Sequence, residues 1–421
     1  MQRSESSSAP PARASQVPQA PQVRERPWLI AFLIAPTAVI DVGLVGGALA
    51  FLLRREGVNP AQGAALIAFL TIPHTIYFLW CPVTDFWVRR RTWILLAAVA
   101  AAATMLAAFH QPRLSSPWAL RLIFLSYCLG LLAAAGCGGI MGTFVSEANR
   151  RRAASAYQAG SLAFSALAVF TLTGLAGRVS LPALGWVMAA FILLPALVAF
   201  ALPATQTPSA PDFRNTLRRI AREFKVTFLR LDAIPYILLI TMPMCSGAMI
   251  GLLPALATDF GVSATEVAWL NGLAGALLTM LGTLIVALIP VRIRPPVAFL
   301  LAGLANAASL AIMALGPQRP AIYFTATVLY LITIGACWAL FTGVALDFLG
   351  DSGKSGGARY SIINSLGNLP ITYMAFVDGR GYAHWGPRGM PAIDAILSAT
   401  AASLLLIYFL AHHAPRRVAA A

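Results

Sequence analysis

The sequence predicts an all-α polytopic membrane protein in which twelve transmembrane helices form two six-helix halves. Hydrophobic residues make up 59% of the 421 residues and charged residues only 11%, a balance that does not fit a soluble domain. Twelve long apolar stretches follow one another, and each can cross a hydrocarbon layer of about 30 Å as a helix of roughly 17–25 residues. The basic residues fall mostly on alternate gaps between these stretches, which is typical of a multi-pass protein.

The spans follow from the apolar stretches and their flanking charges. We place them at residues 28–53, 62–83, 92–109, 118–146, 153–176, 181–203, 234–257, 264–290, 295–316, 320–349, 358–377 and 391–413. Within these boundaries Asp41 is the only acidic residue deep inside a span.

The spans divide the chain into five segments. These are a disordered cytoplasmic tail (1–27), an N-terminal half (28–203), a cytoplasmic linker (204–233), a C-terminal half (234–413) and a second cytoplasmic tail (414–421). Apolar and basic residues alternate at helical spacing in the linker, which predicts an amphipathic helix on the inner membrane surface. Six spans on each side of a basic inner loop indicate two repeated halves packed around a central site.

Charge sets the expected orientation. With a cytoplasmic N-terminus, 22 of the 30 Lys and Arg residues lie in inner segments, and both termini are inside. The other eight are Arg54, Arg55, Arg113, Arg121, Arg178, Arg319, Arg380 and Arg388. Only Lys225 and Lys354 are lysines, which indicates a GC-rich bacterial coding sequence, so we expect the bacterial inner membrane.

The formal net charge of +15 also bears on partners. The inward bias of the basic residues accounts for most of it, so we expect anionic lipid headgroups as partners and no nucleic acid. All five cysteines lie in apolar spans without CxxC or Cys/His spacing, which predicts small buried hydrophobic residues. We expect no metal and no cofactor, and we expect a monomer.

Acidic residues followed by arginine triplets mark the predicted inner ends of spans 2 and 4. The first pattern is Asp85, Arg89, Arg90 and Arg91; the second is Glu147, Arg150, Arg151 and Arg152. The first pattern resembles the cytoplasmic signature of the major facilitator superfamily. The longer form W-x-P-x-x-D…R-R-R-x-W, from Trp80 to Trp93, is similar to the branch that contains AmpG-type muropeptide permeases and acetyl-coenzyme A transporters.

This resemblance implies the major facilitator fold and a cytoplasmic latch. Asp347, at the end of span 10, and Arg359, at the start of span 11, extend the same charge pattern. An anion at the C-terminal end of a helix needs compensation, and the nearby arginines and the N-terminus of span 11 are available. The latch would stabilise the outward-open state; the alternative is that these charges only set topology.

Asp41 and His74 are the candidates for proton coupling. A charge at the centre of a span costs on the order of 2.5–3.5 kcal/mol on insertion scales, so such a residue usually faces a cavity. Antiparallel spans 1 and 2 can bring the carboxylate and the imidazole to the same depth, and such a pair exchanges protons near neutral pH. For His74, a hydrogen-bonded core histidine is an equal alternative.

Several further polar residues lie within spans and can line a substrate cavity. These are Tyr77, Arg121, Tyr157, Gln158, Asn271, Asn364 and Asn368. Interhelical hydrogen bonding is the alternative for the amides, and snorkelling to the outer interface is the alternative for Arg121. Arg380, His384, Trp385 and Arg388 form an expected outer loop suited to an anionic or ring-bearing solute.

Together these features predict a secondary active transporter that imports a polar solute with protons by alternating access. A muropeptide-like sugar-peptide leads by resemblance, followed by a siderophore and an acyl-coenzyme A. A polytopic membrane enzyme would need clustered His, Asp, Glu or Ser motifs at one membrane face, and no such cluster stands out. A receptor would need a folded soluble domain, and a channel a repeated pore loop. We therefore expect no enzymatic activity.

Overall fold

The computed structural model describes most of the chain. The described residues are 26–85, 87–144, 150–202, 215, 218, 221–222, 224–225, 228–229, 231–290, 292–349 and 356–412. Residues 1–25 of the first predicted tail, all of the second tail and most of the predicted linker therefore lie outside the description. Of the linker, Phe228 is buried, with its ring 5.9 Å from that of Phe348.

Twelve helical passes run through the described residues. Helices 1–6 are Pro27–Arg55, Pro60–Leu79, Arg90–Phe109, Pro117–Phe144, Arg150–Leu175 and Leu181–Ala201. Helices 7–12 are Ile234–Thr241 with Ala248–Phe260, Ala264–Leu288, Pro295–Leu315, Pro320–Leu349, Gly356–Gly367 with Leu369–Trp385, and Gly389–His412. Within the described residues, ten stretches are long and apolar enough to cross a membrane, the last of which contains most of helices 11 and 12. The chain is a multi-pass membrane protein.

Two of the passes depart from regular α-helix. Helix 1 widens to π-helix over Val39–Ala48, a feature that is frequent at functional sites. Helix 7 breaks after Thr241, because Pro243 follows and both Cys245 and Gly247 adopt positive φ angles of 58° and 77°. Its two parts are each too short to cross alone.

Helix 11 is longer than the sequence predicts. We expected a loop after residue 377, but the helix continues to Trp385, so Arg380 and His384 are helical and only the turn Gly386–Arg388 precedes helix 12. The glycines that favoured a loop instead allow close packing. A Cβ on Gly381 would lie 2.5 Å from the Gly389 carbonyl oxygen, and Gly386, with φ +67°, ends the helix.

This extension overturns the expectation that Asp41 is the only deep acid. Asp378 lies two turns inside helix 11 and Asp394 lies in the second turn of helix 12. Both carboxyl groups are buried, with exposed fractions of 0% and 2%.

The helices pack as two bundles of six that meet along a central seam. Helix 3 packs on helices 4 and 6, and helix 9 packs on helices 10 and 12. The seam is formed by three helix pairs, in which helix 2 packs on helix 11, helix 1 on helix 7, and helix 5 on helix 8. At one crossing Gly251 approaches Gly46 so closely that a Cβ would lie 3.2 Å from its carbonyl oxygen. The fold class predicted from the sequence is confirmed.

Candidate substrate cavity and proton site

A cavity lies on the seam between helices 1–6 and helices 7–12. Its walls are Asp41, Val42, Gly46, Thr71, His74, Tyr127, Gly247, Ile250, Trp338, Asn368 and Ile371. Its volume is about 60 Å³, enough for a few water molecules and far below the ~300–1,000 Å³ of a typical ligand pocket. The conformation seen here is therefore contracted around its polar groups.

Asp41, His74 and Tyr127 form a hydrogen-bonded triad in the cavity wall. His74 Nδ1 lies 3.3 Å from Asp41 Oδ2, and the two side chains are 23% and 18% exposed. The Tyr127 hydroxyl donates to Asp41 Oδ1 and lies 3.2 Å from His74 Nδ1. A proton on His74 Nδ1 therefore has two oxygen acceptors within reach.

Local structure places the two predicted members of this triad. Asp41 sits at the centre of helix 1, in its π-helical segment, where the backbone is wider than in a regular α-helix. His74 lies near the end of the regular part of helix 2, next to Pro73. Thr71 and Thr75, which flank His74 on the same helix, each lie 3.1 Å from the hydroxyl of Thr372 on helix 11. These contacts tie the helix that carries His74 to the opposite bundle.

Tyr127 is not among the site residues predicted from the sequence. Tyr127 is fully buried on helix 4 and lies 86 residues along the chain from Asp41. Most of its neighbours in the sequence are apolar. The available signal was general: a buried tyrosine usually finds a hydrogen-bond partner for its hydroxyl. The packing of helix 4 on helices 1 and 2 supplies that partner.

The opposite wall of the cavity comes from helices 7, 10 and 11. The break in helix 7 brings Gly247 to the cavity wall. The backbone of Gly247 lies against the indole of Trp338, and a Cβ on this glycine would be 3.4 Å from the ring. The carbonyl of Thr241, at the end of the first part of the helix, accepts a hydrogen bond from the Tyr373 hydroxyl at 2.8 Å. Irregular backbone at membrane depth is tolerated where it lines a cavity.

Two of the predicted cavity amides lie on helix 11 at or beside the cavity. Asn368 is in the wall, and its Nδ2 is buried without a hydrogen-bond partner among the described residues. Asn364 lies one turn away and donates to the Tyr77 hydroxyl at 3.4 Å across the seam. Asn368 therefore offers a donor to whatever occupies the cavity.

The remaining cavity candidates do not line this cavity. The amide of Asn271 donates to the Tyr323 hydroxyl at 3.1 Å, so it joins helices 8 and 10. Arg121 is exposed near the predicted outer end of helix 4, with its guanidinium 5.0 Å from the Trp118 ring centroid. Tyr157 is half-buried and Gln158 exposed on helix 5. The alternatives of packing for Asn271 and interfacial anchoring for Arg121 agree with these positions.

The predicted inner latch is described only in part. Arg90 donates to the Gly139 carbonyl at 2.8 Å and Arg91 to the Leu202 carbonyl at 3.1 Å, so both hold neighbouring helices of the N-terminal bundle. Asp347 accepts a hydrogen bond from the Tyr236 hydroxyl at 2.6 Å. Arg89 is half-buried and Arg152 is exposed. Glu147 and the side chains of Asp85, Arg150, Arg151 and Arg359 lie outside the described residues, so the acid–arginine latch stays a prediction.

A polar cluster that the sequence did not predict joins the bundles at the predicted outer face. Arg54 Nη2 lies 2.9 Å from Asp259 Oδ1, and the Tyr382 hydroxyl donates to Asp259 Oδ2 at 3.1 Å. Arg54 belongs to helix 1, Asp259 to helix 7 and Tyr382 to helix 11. Because these helices come from both bundles, the cluster joins the two bundles on this side.

Comparisons with known proteins agree with this architecture. A POT family transporter in complex with 5-aminolevulinic acid superposes with a TM-score of 0.71 at 9% identity, covering 91% of this chain and 95% of that one. The nucleoside transporter NupG gives a TM-score of 0.68 at 14% identity, with coverages of 91% and 98%. A D-xylose-proton symporter gives 0.69 at 15% identity, with coverages of 90% and 95%. At these identities the likeness concerns the fold.

The sequence itself gives the family. Among curated proteins none matches this chain, but the family model described as "Major Facilitator Superfamily" matches residues 31–375, which span helix 1 to helix 11. With twelve helices in its described part and a cavity between two bundles, this chain belongs to the Major Facilitator Superfamily of transporters.

Proposed function

We propose that this transporter imports a polar solute together with protons. The observation that carries the proposal is the contact between His74 Nδ1 and Asp41 Oδ2, at 3.3 Å, in the wall of a cavity to which both bundles contribute. Ionisable groups at this depth are costly to maintain, so they usually serve an ion or substrate pathway. One wall with titratable groups and an opposite wall with an unpaired amide suit the joint binding of a proton and a solute.

The triad can take up one proton without leaving an unpaired charge in the membrane. In the unloaded form, the carboxylate of Asp41 accepts the hydroxyl hydrogen of Tyr127. Uptake places a proton between Asp41 and His74, which gives either an imidazolium–carboxylate pair or two neutral groups. Release returns the proton to water on the other side. Because the exposed fractions of both side chains are small but not zero, water reaches the pair through the cavity.

Alternating access would move the pair between the two sides of the membrane by rocking one bundle against the other. The Arg54–Asp259–Tyr382 cluster joins the two bundles at the predicted outer face and would hold that face closed. In the proposed cycle, the outer face is held closed in this way while the solute exits to the cytoplasm. The predicted acid–arginine latch at the inner face would be broken in this state and would form when the outer face opens.

For the solute we propose a muropeptide-like sugar-peptide, and the W-x-P-x-x-D…R-R-R-x-W resemblance favours it. Such a molecule carries many hydroxyl and carbonyl acceptors for the Nδ2 donor of Asn368 and rings that can pack on Trp338. It is larger than the cavity seen here, so binding requires the bundles to separate. A siderophore and an acyl-coenzyme A are the alternatives. We place the monomeric protein in a bacterial inner membrane with both termini in the cytoplasm.

Proton movement in proteoliposomes tests this proposal. Vesicles containing the protein and a pH-sensitive dye are challenged in turn with muropeptide, ferric-siderophore and acyl-coenzyme A mixtures. We expect the proton-donating side to become alkaline with one mixture and not with the others. Asp41→Asn should abolish the signal, whereas Glu266→Gln, at an exposed helix cap, should keep it. Saturable solute flux without proton movement would refute proton coupling but leave a transporter.

A further inference from the structure

A second pair of buried acids lies away from the cavity, inside the C-terminal bundle. Asp378 on helix 11 and Asp394 on helix 12 are 0% and 2% exposed, and neither lines the central cavity. Helix 11 meets helix 12 beside both residues: a Cβ on Gly381, one turn after Asp378, would lie 2.7 Å from Cγ2 of Ile393, the residue before Asp394. This close packing places the two carboxyl groups in one buried interface. The Asp41–His74 mechanism uses neither of them.

The pair has almost no hydrogen-bond donors around it. Ser398 donates to Asp394 Oδ1 at 2.9 Å, while both oxygens of Asp378 and Oδ2 of Asp394 are without a partner among the described residues. Among the described residues, the titratable groups of neighbouring helices that interact with the pair are Cys245, Tyr330 and Tyr373. None of them supplies a positive charge at any physiological pH.

Two adjacent carboxylates cannot both stay ionised in such a place, because each charge would be unpaired in a medium of low dielectric constant and would repel the other. A proton shared between them removes one charge and gives one of the orphaned oxygens a hydrogen to accept. A metal ion would need more ligands, and no group of three or more His, Cys, Asp or Glu side chains gathers in the described part of the chain. Burial and contact thus favour one bound proton.

Helix 11, which carries Asp378, links the acid pair to the seam between the bundles. Gly379, the residue after Asp378, packs on helix 2 so closely that a Cβ would lie 2.8 Å from that of Ala64. Thr372, on the same stretch of helix 11, contacts Thr71 and Thr75 beside His74. Helix 11 therefore lies between the cavity and the acid pair, and any rocking at the seam displaces the backbone next to Asp378.

We propose that Asp378 and Asp394 form a second proton-binding site, distinct from Asp41 and His74, in which the two carboxyls hold one exchangeable proton. Release breaks one O–H bond, passes the proton to water that has entered the site, and leaves two carboxylates that this water hydrates. Rocking of helix 11 against helix 2 opens the pair to water and permits this exchange. That last step rests on the proposed alternating-access function, whereas the shared proton does not.

Infrared spectroscopy of the purified protein tests the shared proton without any substrate. A protonated buried carboxyl has a C=O absorption that is separate from that of carboxylates. We expect wild type at neutral pH to show this band, the double variant Asp378→Asn/Asp394→Asn to lose it, and Asp41→Asn to retain it. An unchanged band in the double variant would overturn the proposal. Asn has nearly the same shape as Asp, so these variants disturb the packing little. If the double variant does not fold, the single variant Asp378→Asn replaces it, and we expect that variant to show a shifted band from Asp394.

Exchange is tested on the same samples in heavy water. A shared proton that exchanges is replaced by deuterium, which lowers the frequency of the C=O band. We expect the shift in wild type incorporated in vesicles, and a slower shift when the bundles are cross-linked across the seam through cysteines at Thr71 and Thr372. A band that never shifts would make the pair a static structural contact and would contradict the proposal, even if solute transport were proton-coupled.

Discussion

Arg54 and Asp259 lie 205 residues apart in the chain, yet their side chains meet across the seam at 2.9 Å. The contact joins the end of helix 1 to the end of helix 7 and is reinforced by Tyr382. Its side chains are 26% and 15% exposed, so solvent screens the pair only in part. We interpret it as the outer gate of the transporter.

Asp259→Asn should therefore favour opening of the predicted outer face. A partly exposed pair contributes on the order of 1 kcal/mol, which corresponds to a roughly fivefold change in population. Labelling of a Val42→Cys reporter in the cavity wall, in a background without other cysteines, measures this with a membrane-impermeant maleimide added outside. The charge-reversed pair Arg54→Asp/Asp259→Arg should restore slow labelling. Equal labelling rates in wild type and Asp259→Asn would show that the contact is not a gate.

Asp41→Asn should abolish accumulation driven by a pH gradient and leave exchange of labelled solute across the membrane intact. The amide keeps the shape of the carboxyl group but cannot hold the proton that His74 would share. Uptake and counterflow are measured in the same vesicles. Undiminished uphill uptake would contradict the proton role.

Tyr127→Phe should weaken proton-driven uptake roughly 10–150-fold, because a hydrogen bond to a charged group contributes about 1.5–3 kcal/mol. Initial uptake rates under a fixed pH gradient measure the effect. Tyr323→Phe is a matched control, since that buried hydroxyl bonds Leu253 and Asn271 away from the cavity. Similar losses of uptake in both variants would indicate a general packing effect.

Asn368→Ala should raise KM about fivefold without lowering thermal stability. Its Nδ2 has no partner among the described residues, so removal costs the folded state little, whereas a bound solute loses a hydrogen bond of about 1 kcal/mol. Asn306→Ala is a control in which we expect the opposite pair of effects on stability and KM. Asn306 is buried and donates to Thr333 at 2.9 Å, so its removal should destabilise the protein by about 1–3 kcal/mol and leave KM unchanged. Thermal unfolding in detergent and solute uptake separate the two.

Asp85→Asn should slow or abolish transport while membrane insertion stays normal, because the predicted latch loses its anion. Initial uptake, normalised to the amount of protein in the membrane, measures the change. Asp347→Asn should have a smaller effect, since Asp347 accepts from Tyr236 on a helix of its own bundle. An uptake rate equal to that of wild type would leave the acid with a topological role alone.

The sequence by itself determined the passes, the predicted orientation and two members of the triad. Hydropathy and charge are local properties, and a span is decided by about twenty consecutive residues. Asp41 and His74 could be found in this way because a polar residue in the middle of an apolar stretch is conspicuous. The predicted end of helix 11 was wrong because Gly379, Gly381 and Gly386 look alike in sequence. Only Gly386 adopts a positive φ angle and ends the helix.

The tertiary structure alone decided which residues meet. Tyr127 joins Asp41, Arg54 meets Asp259, and Asp378 and Asp394 share one buried interface, although nothing in the neighbouring sequence of any of these residues names its partner. In a membrane, packing of small residues and interhelical hydrogen bonds select helix neighbours. Contacts such as Gly46 on Gly251 depend on the shapes of whole helices. The cavity and the acid pair follow from that packing.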